Sequence, residues 1–216
     1  MTMAGVAEPQ QERSRRSFAK VREASLQLLL ERGAGFTLAD VSATASVSIG
    51  SIYGRVGSKV NLLRLIQGEE LDRIDAELAA EMSDAAEVDA SFDDAVHAVV
   101  MAAVAPLVRN AALIRVFMTL ADDAETAERG RESWEAERIA FCHALATVTE
   151  SHGVAASAQT LDWCHELVYS VTARHLGFGL AIGGQPEARE IMPTDALEES
   201  LAETIRLVLR GAAEKV

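Results

Sequence analysis

Apolar residues recur every three or four positions along almost the whole chain, the spacing that gives a helix one apolar face. We find no run of alternating β-branched residues, bounded by turn residues, that would predict a strand. Prolines number only 4 in 216 residues, and aromatic residues are few. The pattern and the composition together predict an all-α protein.

The first predicted helix carries an apolar stripe that must pack on the elements after it. Gly33 and Gly35 are expected to end this helix, and residues 1–12 before it are expected to form a tail. The stripe consists of Phe18, Val21, Leu26, Leu29 and Leu30.

Two short helices joined by a tight corner are predicted next. Thr37 precedes the first, over residues 38–45, where its hydroxyl can cap the free backbone N–H groups. Ser46 and Val47 are expected to make the corner. The inward residues of this helix are Leu38, Val41 and Ala45.

The second short helix has one apolar face and one face of small and polar residues. Ser48 is placed to cap it, and the inward residues are Ile49, Ile52 and Val56. Small outward residues allow a close approach to another surface, while a tyrosine hydroxyl and an arginine suit phosphates and base edges. Ser58 is placed to cap a third helix, whose first residue, Lys59, brings a cation near this surface. The outward residues are Gly50, Ser51, Tyr53, Gly54 and Arg55.

The remaining predicted helices are longer. The helix that begins at Lys59 is expected to end near Met82, before a polar break at residues 83–89. Pro106 is expected to kink or restart the helix in which it falls. The other predicted helices cover residues 92–105, 107–120, 125–151, 158–182 and 194–210.

Charge is distributed very unevenly along the chain. The net charge is −13, which by itself argues against a nucleic-acid partner. Residues 1–68 nevertheless carry nine Lys or Arg and five Asp or Glu, whereas residues 69–216 carry eleven and twenty-eight. From Val41 to Gly68 the sequence contains no acid, although its average composition would place about four there. A surface that meets phosphates must avoid carboxylates, so this gap favours nucleic acid, and chance is the alternative.

The segment from Phe36 to Lys59 resembles the DNA-binding segment of TetR-type transcriptional regulators. The resemblance fixes residue types at about ten positions. It extends back to Arg15, and so it covers roughly the first third of the chain, whereas the remainder is similar to the family only in length and helical pattern. The pattern is Thr-Leu-x-x-Val, followed by Ala-x-Val-Ser-x-Gly-Ser-Ile-Tyr-x-x-Val-x-Ser-Lys.

Four residues depart from the family pattern. Ser46 stands where a turn glycine is usual, so a positive φ at this position would strain a serine. Arg55 replaces the more usual His or Tyr, which is expected to alter operator preference. The other two departures are Val56 for Phe and Val60 for an acid.

The resemblance implies two domains: a helix-turn-helix DNA-binding domain at residues 13–68 and a helical ligand-binding and dimerisation domain at residues 69–216. It also implies a homodimer that binds a palindromic operator in double-stranded DNA, most simply as a repressor. Thr37, Tyr53 and Lys59 would then contact phosphates. The residues expected in the major groove are Ser48, Gly50, Ser51, Gly54 and Arg55.

Three further expectations concern the rest of the chain. The last two long helices are expected to pair with their copies in a second subunit, although one monomer's core would give the same pattern. The basic residues Arg13, Arg15 and Arg16 form either an arm that touches DNA or a solvated helix start. An unknown small-molecule effector is expected in a pocket of the C-terminal domain, although each candidate lining residue would also suit an ordinary hydrophobic core. Those candidates are His97, Met101, Arg115, Phe117, Met118, Trp134, Phe141 and His175.

Catalytic residues, a metal site and a cofactor are not expected. Phosphate-loop, nucleophile-elbow and zinc-protease motifs do not occur. The dipeptides Cys142-His143 and Cys164-His165 offer thiols and imidazoles, but adjacent helix positions diverge by about 100° and do not easily share one metal. Both cysteines are expected to be reduced and buried.

The sequence also predicts a cytoplasmic location without membrane insertion. The N-terminal residues lack the apolar stretch of a secretion signal. The longest apolar stretch, residues 95–108, is interrupted by His97 and Pro106 and is too short to span a bilayer. The rival hypothesis to the regulator is an acidic helical ligand-binding or protein-interaction module without specific DNA recognition, and an enzyme is a third.

Overall fold

The computed structural model describes residues 10–178 and 192–213, and all its regular elements are helices. The all-α prediction is therefore confirmed. A single 3₁₀ turn, Gly33–Gly35, accompanies the α-helices in this part of the chain. The helices are α1 (Gln10–Arg32), α2 (Leu38–Ala45), α3 (Ile49–Val56), α4 (Lys59–Ala86), α5 (Phe92–Arg109), α6 (Ala111–Met118), α7 (Ala124–Ser151), α8 (Ala158–His175) and α9 (Thr194–Ala213).

The chain forms two compact units, the first ending at Glu69 and the second beginning at Glu70. The helix α4 contributes its residues up to Glu69 to the first unit and the rest to the second.

The first unit is built around apolar side chains of α1, α2, α3 and the start of α4. Phe36, in the connection before α2, is 1% exposed and is among the largest fully buried side chains of the described residues. Two inward predictions were wrong, because Leu30 is 50% exposed and Ile49 is 43% exposed. Leu28 is buried on α1 beside Leu29, and Ile49 is the first residue of α3, where it projects at the end of the helix.

Ser46 makes the corner between α2 and α3 in the left-handed conformation, with φ 53° and ψ 40°. Among the described residues it is the only residue other than glycine with a positive φ. The Val47 N–H donates to the Ser42 carbonyl at 3.2 Å, and the Ser42 hydroxyl donates to the Val47 carbonyl at 2.6 Å. This conformation costs an L-residue roughly 1–2 kcal/mol, so the strain expected at this position is present.

In the second unit α5 is the central helix, and it packs against α7, α8 and α9. From Ala95 to Val104 its buried residues are small or β-branched, so that neighbouring helices can approach it closely. Those residues are Ala95, Val96, Val99, Val100, Ala102, Ala103 and Val104, each at most 6% exposed.

Two predicted helix breaks lie elsewhere in the structure. The helix α4 continues to Ala86, because Met82 and Ala85 still lie on its buried face. Pro106 lies within α5, which runs on to Arg109, and the chain bends by 68° between α5 and α6. At this bend the Asn110 backbone N–H and side-chain amide both donate to the Pro106 carbonyl, at 3.0 and 2.8 Å.

The predicted end of α8 at Ile182 was also wrong. The helix stops at His175, because Gly177 adopts a φ of 74° and the Phe178 N–H donates back to the Ala173 carbonyl at 2.8 Å. This return bond is a common way of ending a helix. The predicted residues 179–182 lie outside the described residues.

Within the described residues no single helix has the length and apolar character needed to cross a membrane, although the bent pair of α5 and α6 passes that test jointly.

Glu137 of α7 is a carboxylic acid in the core of the second unit. Glu137 is only 7% exposed to solvent. Burial raises the pKa of the Glu137 carboxyl to about 8, and the charge of Asp75 on α4 raises it further. Glu137 is therefore protonated in the folded chain at neutral pH.

We expect the Glu137→Gln variant to gain stability relative to the parent chain as pH rises from about 4.5 to about 8. Between these values the unfolded chain releases the Glu137 proton while the folded chain keeps it, so the contribution of Glu137 to the free energy of unfolding falls. Urea unfolding of both proteins across this range measures the effect. Glu132→Gln, an exposed position on the same helix, is the control. Unfolding curves that keep a constant difference at every pH would contradict the assignment.

Candidate nucleic-acid interface

The exposed face of α3 and its N-cap is the candidate interface; we call it the α3 surface. It consists of Ser48, Gly50, Ser51, Tyr53, Gly54 and Arg55, all of which are exposed. Tyr53 is 51% exposed, whereas Ile52 and Val56 on the opposite face are buried in the first unit. The outward and inward sets thus agree with the sequence analysis except at Ile49.

Hydroxyl side chains begin all three helices around this surface. Ser48 Oγ accepts a hydrogen bond from the Ser51 N–H at 3.2 Å and lies 2.7 Å from Ser51 Oγ. Ser58 Oγ accepts from the Asn61 N–H at 3.1 Å at the start of α4. Each cap satisfies a backbone donor that the helix leaves free, which stabilises these short elements by about 1 kcal/mol each.

Thr37 caps α2 through a reciprocal pair of bonds with Asp40. Thr37 Oγ1 accepts from the Asp40 N–H at 3.2 Å, and the Asp40 carboxylate accepts from the Thr37 N–H at 2.7 Å and from the Thr37 hydroxyl at 2.6 Å. The hydroxyl of Thr37, and next to it the Thr37 backbone N–H, hold the pKa of the Asp40 carboxyl below its usual value. The position at which Thr37 is predicted to meet a phosphate therefore has a carboxylate beside it.

Gly50 and Gly54 leave open space on the α3 surface. Apart from the adjacent residues and the backbone of α3 itself, a Cβ atom built at either position meets no heavy atom of the chain within 4 Å, and neither residue has a positive φ. Glycine costs roughly 1 kcal/mol relative to alanine inside a helix. The packing of the first unit thus does not require glycine at these two positions, whereas the close approach of a partner would.

Arg55 is fixed by α1. Its Nη1 donates to Ser14 Oγ at 3.0 Å, and its guanidinium carbon lies 4.1 Å from the centroid of the Phe18 ring. Phe18 was expected only as a core residue, and Ser14 was not singled out at all. The spacing of four residues, which puts both on one face of α1, was the available signal.

Lys59 is tied to the turn that follows α1. Its ammonium group donates to the Ala34 carbonyl and lies 4.9 Å from the centroid of the Phe36 ring. It is half-buried, in contrast to Tyr53 and Arg55.

Of the residues predicted to line an effector pocket, the structure brings Trp134 and Phe141 together around His165 of α8. The ring centroids of these two residues lie 5.8 and 5.7 Å from that of His165, and Tyr169 stacks on the imidazole at 5.8 Å. Burial, and next to it the charge of Arg138, lower the pKa of His165 to about 4. His165 and Tyr169 were missed, because Cys164-His165 was considered only as a metal-binding dipeptide.

The other predicted pocket residues make separate contacts. Nδ1 of His97 lies 3.5 Å from the Glu199 carboxylate, Arg115 donates to the Leu176 carbonyl at 2.9 Å, and Nε2 of His175 lies 3.2 Å from Thr194 Oγ1. The last three predicted pocket residues are Met101, which is half-buried, Phe117, which is buried, and Met118, which is 38% exposed.

The two cysteines are free thiols. Burial raises the pKa of Cys142 to about 11 and that of Cys164 to about 12. Cys142 was expected to be buried but is half-buried, with its Sγ 3.6 Å from a carboxylate oxygen of Asp162. The described residues contain no group of three or more His, Cys, Asp or Glu side chains that could hold a metal ion.

A groove of about 930 Å³ lies along the outer side of α8 and α9. Trp163 of α8 and Leu207 of α9 line it and are 56% and 65% exposed. Two large apolar side chains with this exposure on one groove are typical of an interaction surface.

No protein-family model matches the chain, and no curated protein matches it. Solved structures are similar to it over almost their whole length. A transcriptional regulator from Pseudomonas aeruginosa PAO1 is 16% identical, with a TM-score of 0.68, covering 97% of this chain and 95% of that one. A TetR-family regulator from Mesorhizobium loti MAFF303099 is 13% identical, with a TM-score of 0.66 and coverages of 91% and 96%. A regulatory protein of the tetR family from Rhodococcus RHA1 is 18% identical, with a TM-score of 0.58 and coverages of 91% and 96%.

A carboxylate placed at Ser48 should separate folding from nucleic-acid binding. Asp and Asn cap a helix about as well as Ser, so we expect Ser48→Asp and Ser48→Asn to unfold at nearly the same temperature as the parent chain. Only Ser48→Asp adds a negative charge to the α3 surface, and it should weaken duplex binding at least about tenfold relative to Ser48→Asn. Thermal unfolding and gel-shift titration measure the two effects. Equal binding by the Asp and Asn variants would show that Ser48 does not face the duplex.

Proposed function

Because the chain has the fold of the TetR-family transcriptional regulators, we propose that it is a homodimeric regulator of transcription. In this proposal the first unit binds a palindromic operator in double-stranded DNA, and binding of a small-molecule effector to the second unit releases it. The protein then acts as a repressor in the absence of effector.

The observation that carries the proposal is the glycine pair on the α3 surface. A helix of eight residues keeps two glycines exposed where neither the backbone nor the packing requires them. Their absence of side chains lets a helix lie deep against a groove, and the major groove of B-DNA is wide enough to admit one. The acid-free stretch from Val41 to Gly68 supports the same partner.

The side chains divide into two proposed roles. Ser48, Ser51 and Arg55, with Gly50 and Gly54 between them, would lie toward base edges. Tyr53, Lys59 and Thr37 would position the unit on phosphates. Lys59 already bonds to the Ala34 carbonyl and Thr37 to Asp40, whereas the side chain of Tyr53 is 51% exposed.

For the effector site, the aromatic group around His165 supports a location between α7 and α8 of the second unit. Trp134, Phe141 and Tyr169 supply ring faces, and His165 supplies a neutral imidazole that can donate one hydrogen bond and accept another. An effector that binds better to the conformation incompatible with DNA would shift the population away from it.

The proposed dimer uses α8 and α9. The groove beside them exposes Trp163 and Leu207 and is flanked by Gly211 and Ala212, whose small size allows a second helix pair to approach closely. Four helices, two from each subunit, would then bury these apolar residues together.

Selection of duplexes from a random pool tests the regulator against its rival, an acidic binding module without DNA recognition. We expect the full chain to recover a palindrome whose half-sites are about one helical turn or somewhat more apart. Tyr53→Phe should weaken binding to all duplexes equally, by a few-fold, because a phosphate contact does not depend on the base sequence. Arg55→Ala should relax the preference at particular base pairs.

The proposal fails if the chain selects no duplex even at low salt, and the rival is then favoured. If Tyr53→Phe and Arg55→Ala change the selected sequences in the same way, the division between phosphate and base contacts is wrong.

The dimer surface is tested by a charge placed at Leu207. Leu207→Glu would bury a carboxylate in the proposed interface, so we expect it to be monomeric in sedimentation experiments and to bind the palindrome at least about tenfold more weakly. Ile139→Glu is the control, because Ile139 is 56% exposed and lines a different groove, between α4 and α7. A Leu207→Glu protein that sediments as the parent chain does would exclude this surface.

A further inference from the structure

We propose that Phe18 and Ser14 of α1 are positioning residues for Arg55, and that they set the base preference of the α3 surface through it. This inference rests on the proposed function, since it concerns the same DNA-binding surface. It adds two residues of a different helix to the determinants of sequence preference.

The geometry restrains the guanidinium group of Arg55 in two ways. Its carbon atom lies over the Phe18 ring, 4.1 Å from the centroid, which restricts how the planar group can tilt. The hydrogen bond from Nη1 to Ser14 Oγ, at 3.0 Å, restricts its rotation within that plane. A stacking contact and a directional bond together define one orientation.

This orientation leaves the guanidinium group available to a ligand. Arg55 is exposed, and the bond to Ser14 uses one of the five N–H donors that an arginine carries. Two parallel N–H donors of one arginine match the two acceptors that a guanine presents in the major groove.

Holding the side chain before binding favours selective recognition. A long exposed arginine samples many rotamers and loses this freedom when it binds, whereas a planar group already held on a ring loses less. A guanidinium group in another orientation can instead donate its hydrogen bonds to a nearby phosphate, and such a contact carries no sequence information. Phe18 and Ser14 therefore favour contact with a base over contact with the backbone.

The place of these residues in the fold supports the inference. Ser14 and Phe18 are one turn apart on α1, and both line a cleft of about 280 Å³ beside Ser51 and Ile52 of α3. The competing explanation is that Arg55 ties α3 to α1 and contributes only to stability. That explanation predicts a loss of unfolding temperature and an equal loss of affinity for all sequences.

The experiment compares Phe18→Leu, Phe18→Tyr, Ser14→Ala and Ser17→Ala in the full chain. Phe18→Leu keeps an apolar side chain but removes the ring face, whereas Phe18→Tyr keeps the ring. Ser17 lines the same cleft and is the matched control for Ser14. Each variant is titrated against the selected duplex and against duplexes with single base-pair changes, and each is also made in the Arg55→Ala background.

We expect Phe18→Leu to lower discrimination about two- to fivefold at the base pairs where Arg55→Ala lowers it. Ser14→Ala should act at the same positions, while Phe18→Tyr and Ser17→Ala should keep the parent preference. In the Arg55→Ala background Phe18→Leu should have no further effect on preference. Equal weakening on all duplexes, or an effect that persists without Arg55, would overturn the proposal. A parent chain that selects no duplex would instead refute the proposed function.

Discussion

The packing of Ile52 and Val56 into the first unit is the interaction on which the α3 surface depends. An isolated helix of eight residues is not stable in water, because forming its first turn costs more than its few hydrogen bonds return. The α3 helix persists because one face is buried, with Ile52 1% exposed, and because Ser48 caps its first turn. Those contacts use the inward face and the backbone, so the outward face remains exposed.

The arginines of the two units have different electrostatic surroundings. In the second unit several arginines are each surrounded by carboxylates: Arg109 contacts Glu77 and Glu81, and Arg129 contacts Asp72 and Asp75. Acids remain in excess there, which disfavours wrapping of a polyanion around this unit. On the α3 surface Arg55 instead contacts the hydroxyl of Ser14 and the ring of Phe18, neither of which neutralises its charge.

Sequence reasoning succeeded where the determinant is local. Hydroxyl caps at Thr37, Ser48 and Ser58 and the apolar spacing after them are properties of a few neighbouring residues, and these helix starts are confirmed. It failed at Pro106, where packing of α5 in the core outweighs the lost backbone bond. It also failed at Gly177, because the sequence alone does not show which glycine near a helix end adopts a positive φ.

The effector-site prediction shows a different limit. Periodicity identifies the inward face of each helix, but it does not fix the rotation and crossing of one helix against another. Residues from four helices were therefore grouped, although of these the structure brings Trp134 and Phe141 together, through His165. The residues predicted to bind DNA are less affected by this limit, because most of them belong to a single helix and its caps.

Several departures from ordinary helix design lie in the short segment from Ser46 to Arg55. Ser46 is left-handed, Gly50 and Gly54 lower helix stability, and Ile49 and Tyr53 expose large apolar surfaces. The left-handed Ser46 and the two helical glycines each cost stability. A sequence under selection for stability alone would replace Ser46 and both glycines, since suitable residues are available at each position. Their presence together, around the helix that carries Arg55, supports the proposal that the α3 surface contacts a partner at close range.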